Sequence, residues 1–147
     1  MNKEIQHTFH FKSDPASIKR ALTEEKPLQL WWTEDVKLSK GHGIFEWRGY
    51  QWTVELDILP SSNEKTIIWA CTKSNMQGTD AWEGSTMTFQ LFPDAYGTRV
   101  EFLHSDYKDA PCYDACFGGW HYVLGVSLKA YLETGKGMPM CSGGVVE

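Results

Sequence analysis

Two histidines are the residues in this chain best placed by type and spacing to do chemistry. His104 alternates with Val100 and Phe102 along one strand face. His121 falls beside Trp120, Leu124 and Leu128 on one side of a helix. If those two faces look at each other, both imidazoles border one interior space. A neutral imidazole there can orient a ligand carbonyl or hydroxyl, or serve as a general base. The plainer alternative is a pair of core histidines bonded to backbone or water. No catalytic residue is assigned.

The other reactive groups are weaker candidates. Cys112 and Cys116 are four apart near the start of a helix, where thiol pKa values fall, which would suit redox sensing or a soft metal. Zinc needs four ligands, however, and Cys71 and Cys141 stand singly, so neither a metal nor another cofactor is expected. Glu46, Glu55, Asp57 and Glu101 alternate with apolar residues and belong on a solvated sheet face.

The aromatic residues outnumber what filler requires. Seven tryptophans occur in 147 residues, and a buried indole N–H wants a partner. Trp47, Trp52, Trp69, Phe89, Phe102, Phe117 and Trp120, with Val54, Leu124 and Leu128, are the candidate lining of an apolar pocket. Ordinary core packing is the competing explanation. Trp31 and Trp32, adjacent on a short helix, are expected to diverge. One would pack under the sheet edge and the other would lie near the pocket mouth. Gly118 and Gly125 flank the helical stripe and leave room either for a ligand or kink, or for the close approach of a strand or a Trp.

These residues need elements to hold them. A polar–apolar alternation over residues 4–12 predicts a strand. Asp14-Pro15 then opens a helix to about Glu24, and a second short helix follows from Pro27 to Trp31. Strands are expected at 35–39, twice within 43–60 with a break near Arg48-Gly49, and at 64–73 after the turn Pro60-Ser61-Ser62-Asn63. A hairpin follows at 82–92 and 97–106. Asp109-Ala110-Pro111 signals the start of the last helix. Tyr113, Phe117, Trp120, His121, Leu124, Leu128, Tyr131 and Leu132 then share a sector of ~120°, and Gly135 and Pro139 end it. The tail from about residue 136 should be loosely held. The fold class is therefore α+β: about seven antiparallel strands curved around a long C-terminal helix, with two short helices after the first strand.

Length fits one domain over residues 1–147. The net charge of −5 with no basic run argues against a nucleic-acid surface. No apolar run reaches the roughly 18 residues of a membrane span. The polar start Met1–Gln6 lacks a secretory signal, so a cytoplasmic location with free thiols is expected.

Several segments together resemble one family. They are Phe9-His10-Phe11 with Asp14-Pro15, Arg20-Ala21-Leu22-Thr23, Trp31-Trp32, Thr98–His104, Gly119-Trp120 and Ser127–Gly137. In this order they resemble the Activator of Hsp90 ATPase-like (Aha1 C-terminal-domain-like) family of the START/Bet v 1 helix-grip (SRPBCC) superfamily, over about residues 5–139. The resemblance implies a helix-grip fold. It also implies a cavity between helix and sheet, which in the wider superfamily takes lipids, hormones or polyketides, and serves cyclases or hydrolases in some members. The namesake stimulates the Hsp90 ATPase with the help of a further N-terminal domain, for which this chain has no room.

Three functions follow in order. The first is a module binding a small apolar or aromatic ligand. The second is an Hsp90-type co-chaperone or stress-related protein-interaction domain, with a homodimer as a compatible state. The third is a cyclase- or hydrolase-like enzyme using His104 or His121.

Overall fold

Alternating apolar and polar residues build seven strands, and capped apolar stripes build the helices between and after them. A computed structural model describes residues 2–59, 65–108 and 113–139, apart from the side chains of residues 2, 3, 48, 77, 107, 108 and 113–117. Strand β1 (Asn2–Phe11) leads into α1 (Pro15–Thr23) and α2 (Glu25–Trp31). The strands β2 (Asp35–Ser39), β3 (His42–Trp47), β4 (Trp52–Leu59), β5 (Thr66–Ser74), β6 (Thr86–Asp94) and β7 (Gly97–Lys108) follow. The last helical rod comprises α3 (Tyr113–Tyr122), a π-helical segment at Val123–Leu128 and α4 (Lys129–Thr134). The turn at residues 60–63, the helix start at 109–111, Cys112, Cys141 and the tail beyond 139 lie outside the described residues.

All seven strands form one antiparallel sheet in the order β1-β7-β6-β5-β4-β3-β2. Its inner face carries Phe45, Trp47, Val54, Leu56, Trp69, Met87, Phe89, Val100 and Phe102, all at most 2% exposed. Direct cross-strand pairs, such as Phe89 with Phe102 and Trp69 with Met87, put large apolar side chains next to one another. The helix-grip arrangement is present: the helical rod lies in the concave face and buries Trp120, Leu124 and Leu128 against it.

Local signals explain the ends of the helices. The extended residue Asp14 accepts the Ser17 amide at 2.9 Å, and Pro15 begins α1. Gly135 adopts the left-handed conformation at φ 85° and donates its N–H to the Tyr131 carbonyl at 2.8 Å, ending α4. Strand β6 starts at Thr86, four residues later than the alternation suggests, because Asp80–Ser85 forms turns that include Gly84 at φ 82°.

Two expectations about helical side chains are corrected. Trp31 and Trp32 do not diverge: both are buried, with stacked rings 5.9 Å apart. Trp32 lies just past the end of α2, so its side chain is freed from helical spacing and turns inward beside its neighbour. His121 is exposed rather than inward. Counting a uniform 100° per residue takes in Tyr131 and Leu132, which lie beyond the wide π turn and are only half-buried. The buried set is Trp120, Val123, Leu124, Ser127 and Leu128, and His121 lies outside it, against β1. Gly125 lies in this turn, and a Cβ there would stand 2.9 Å from Phe9 Cε1, so the glycine serves close approach to β1.

Candidate functional site

The interior between rod and sheet is a continuous assembly of aromatic rings. Trp32 occupies its middle, stacked on Trp69 at 5.2 Å and edge-on to Trp47 at 5.5 Å, with Phe45 at 4.8 Å and Trp120 at 5.7 Å. Trp120 stacks on Trp82 at 5.3 Å and tilts against Phe102 at 4.8 Å. Phe102 meets Phe89 at 5.1 Å, and Phe89 meets Trp69 at 4.7 Å. The expected residues Trp47, Val54, Trp69, Phe89, Phe102, Trp120, Leu124 and Leu128 are therefore all buried in one core. Trp52 is half-buried and stacks on Tyr50 at 4.5 Å. Phe117 belongs to α3, but its side chain lies outside the described residues.

The indole N–H groups divide into two classes. Trp31 donates to the Ala21 carbonyl at 2.8 Å, Trp69 to the Leu22 carbonyl at 3.0 Å and Trp120 to His104 Nδ1 at 3.1 Å. The buried Nε1–H groups of Trp47 and Trp82 have no hydrogen-bond partner among the described residues. Leaving such a donor unsatisfied costs about 1–3 kcal/mol, and native interiors rarely tolerate it.

His104 is wired on both nitrogens. Trp120 can only donate, so His104 Nδ1 is the acceptor and Nε2 carries the proton. That Nε2–H meets Ser85 Oγ at 2.7 Å, and the Ser85 hydroxyl donates to the Trp82 carbonyl at 2.5 Å. Burial pushes the imidazole pKa down to about 3, because the charged form is poorly solvated there. A histidine held neutral with its lone pair committed to an indole is a structural element and a poor general base. His121 does not join it. Its ring stands 6.0 Å from His7 and 6.4 Å from Phe9, against β1.

The remaining candidates are dispersed. The Cys71 thiol is buried and pushed up to about 12, which makes it inert. Glu55 and Asp57 bind His42 on the outer sheet face at 3.1 and 2.7 Å and raise its pKa, the Asp57 hydrogen bond contributing most. Glu101 pairs with Arg99 at 3.4 Å near the surface. Among the described residues, no three His, Cys, Asp or Glu side chains gather so as to hold a metal ion. A surface groove of about 530 Å³ runs between α1, α2 and α4, past Arg20, Leu30 and Tyr131, and is separate from the aromatic interior.

Three participants were not expected from the sequence. Only one of Trp31 and Trp32 is expected there to pack under the sheet edge, Trp82 reads as the start of a strand, and Ser127 is given no packing role. Ser127 is fully buried; its hydroxyl donates to the Trp31 carbonyl and accepts the Met138 N–H at 2.8 Å. A small hydroxyl within an apolar helix face was the available signal for this joint.

The chain matches the family model described as Activator of Hsp90 ATPase homolog 1-like protein over residues 6–133. It is similar to the Aha1 dimer from Colwellia psychrerythraea, with 28% identity and a TM-score of 0.77, covering 92% of this chain and 99% of that one. The SSP2350 protein of Staphylococcus saprophyticus has the same fold, with 18% identity, a TM-score of 0.69 and 95% and 99% coverage. So does the CV1439 protein of Chromobacterium violaceum, with 17% identity, a TM-score of 0.69 and 88% and 97% coverage. A comparison with curated proteins finds no match.

Proposed function

We propose that this chain, which belongs to the Activator of Hsp90 ATPase homolog 1-like family, holds a small apolar or aromatic molecule between its last helix and its sheet. The observation that carries this reading is the pair of buried indole donors, Trp47 and Trp82, that no atom of the described residues satisfies. In an interior where the Trp31, Trp69 and Trp120 indoles are all paired, two donors with no partner among the described residues are groups that an acceptor on a ligand would satisfy. The occupant would lie against Trp47, Trp69, Phe102 and Trp120 and reach toward the half-buried Trp52. His104 would shape one wall without reacting. His121, exposed against β1, is not in this set.

The test is a panel of hydrophobic ligands titrated into the purified protein, read by tryptophan fluorescence and melting temperature. Saturable quenching with a rise in melting temperature is expected for some members. Silence across the panel would end the proposal.

A second reading is favoured by the family and by the Colwellia relative. The chain would dock on an Hsp90-type chaperone, as a monomer or as a homodimer like that relative. Pulldown with such a chaperone and a change in its ATPase rate would support it, and no binding and no rate change would remove it. The enzymatic alternative loses ground, because both nitrogens of His104 are engaged and His121 stands apart.

A further inference from the structure

We infer that helix side chains stand in for a missing strand at both edges of the sheet, and that Glu25 and Gln29 thereby keep strand β2 from pairing with a second copy of this chain. Strands β1 and β2 each have a single neighbour among the described strands. Each therefore turns one row of backbone N–H and C=O groups away from the sheet, and such a row is a template for an added strand.

The register shows which groups face outward on β2. Ser39 pairs with His42 across the two-residue turn Lys40-Gly41, whose φ angles are 50° and 83°. The residues that close such a turn exchange hydrogen bonds, and the direction then alternates along the strand. Lys37 and Asp35 therefore also face β3, whereas Val36 and Leu38 direct their backbone groups to the open side. There the Leu38 N–H donates to Glu25 Oε1 at 2.7 Å, and the Val36 carbonyl accepts from Gln29 Nε2 at 3.0 Å. Glu25 and Gln29 are four apart on α2. Four helical residues rise about 6 Å, close to the roughly 6.6 Å of two strand residues, so one helix face matches the strand.

The opposite edge repeats the device. Asp94 and Gly97 close the β6–β7 turn, so Arg99, opposite Phe92, faces β6. His10 lies opposite Arg99 and so faces outward on β1. Its carbonyl accepts from Lys129 Nζ at 3.1 Å, and the Lys12 N–H, just past β1, donates to Glu133 Oε2 at 3.0 Å. Lys129 and Glu133 are again four apart, on α4, and bond each other at 2.9 Å. At each edge one helix supplies one donor and one acceptor to backbone groups two residues apart.

The occupant that fits the β2 edge is β2 of a second copy, run antiparallel about a two-fold axis at Lys37. The Leu38 N–H of each copy would then meet the Val36 carbonyl of the other. These are the same donor and acceptor that Glu25 and Gln29 hold in the single chain. Lys37, which is exposed, would face its own counterpart, and like charges directly opposite oppose the pairing. It is a second guard on the same edge.

Sedimentation equilibrium and amide hydrogen exchange on the full chain test this, comparing the parent with Glu25→Ala/Gln29→Ala. The double variant should self-associate about tenfold more tightly than the parent, and more tightly still in high salt or with Lys37→Thr added. Its Leu38 amide should exchange fast in dilute solution and become protected as concentration rises. Glu25→Gln, which keeps an acceptor oxygen, should behave as the parent. In the parent the Leu38 amide should be protected even in dilute solution, and Glu25→Ala alone should speed its exchange about tenfold, a readout that remains if the double variant fails to fold. Association no tighter than the parent's, or association that leaves the Leu38 amide exchanging fast, overturns the inference. So does a parent Leu38 amide that is already unprotected.

Discussion

The indole N–H of Trp120 lies 3.1 Å from Nδ1 of His104, and this contact commits the one lone pair through which the imidazole could have taken a proton. A helix residue thus fixes the tautomer of a strand residue. The resulting chain, from Trp120 through His104 and Ser85 to the Trp82 carbonyl, ties the rod to β7 and to the turn before β6.

This wiring sets a pH dependence. The folded imidazole titrates near 3, whereas an unfolded histidine titrates near 6.5. Above 6.5 both states are neutral and the group contributes no slope. Between 6.5 and about 3 the unfolded chain takes up a proton that the folded chain refuses. Stability should fall there by up to about 1.4 kcal/mol per pH unit. Urea titrations from pH 7.5 to 4.5 check this, and His104→Asn should flatten the profile. His42, raised by Asp57 and Glu55, acts with the opposite sign: its contribution is present below its unfolded pKa and fades as pH rises through the folded one. It is well exposed, so that effect should be small.

The two classes of indole predict unequal costs for the same replacement. Trp69→Phe deprives the Leu22 carbonyl of its donor, whereas Trp82→Phe removes a donor that has no partner among the described residues. Trp69→Phe should therefore destabilise by about 1–3 kcal/mol more. Denaturant midpoints of the two variants measure the difference, and an equal or reversed order would contradict the accounting.

Two helical glycines should respond with opposite signs. Gly118 is exposed, and a Cβ placed there would meet nothing within 4 Å, so Gly118→Ala should stabilise by up to about 1 kcal/mol. Gly125→Ala would press on Phe9 at 2.9 Å and should cost about 1–3 kcal/mol. Melting temperatures of the pair test whether the wide turn exists for that contact.

Ser127 joins α2, the rod and the segment after it. Ser127→Ala leaves both the Trp31 carbonyl and the Met138 N–H without this partner and should cost about 1–3 kcal/mol. Hydrogen exchange at the Met138 amide should accelerate in the same variant; an unchanged rate would show that the joint does not hold the segment.

Much of this architecture was legible in the sequence because its causes are local. Asp14-Pro15 capped a helix, Gly135 ended one, and the alternation around Phe89 and Phe102 marked inward strand faces. What escaped depended on distant atoms. Trp32 turns inward only because α2 ends one residue earlier. The straight count carried Tyr131 and Leu132 into the buried stripe because it takes no account of the π turn centred on Gly125, opposite Phe9, and it also took in His121, which is exposed. Trp82 entered the core from a turn, where no periodicity points inward. That Trp47 and Trp82 lack an acceptor among the described residues could not be read from residue types, since every buried indole carries the same donor.

The most direct test of ligand binding is the nitrogen–proton correlation spectrum of the tryptophan indoles, recorded as an acceptor-bearing apolar molecule is added. Trp47 and Trp82 should shift saturably, while Trp31, bonded to the Ala21 carbonyl and outside the proposed contact set, should hold its position. No shift at Trp47 and Trp82, or movement confined to the half-buried Trp52, would contradict the account.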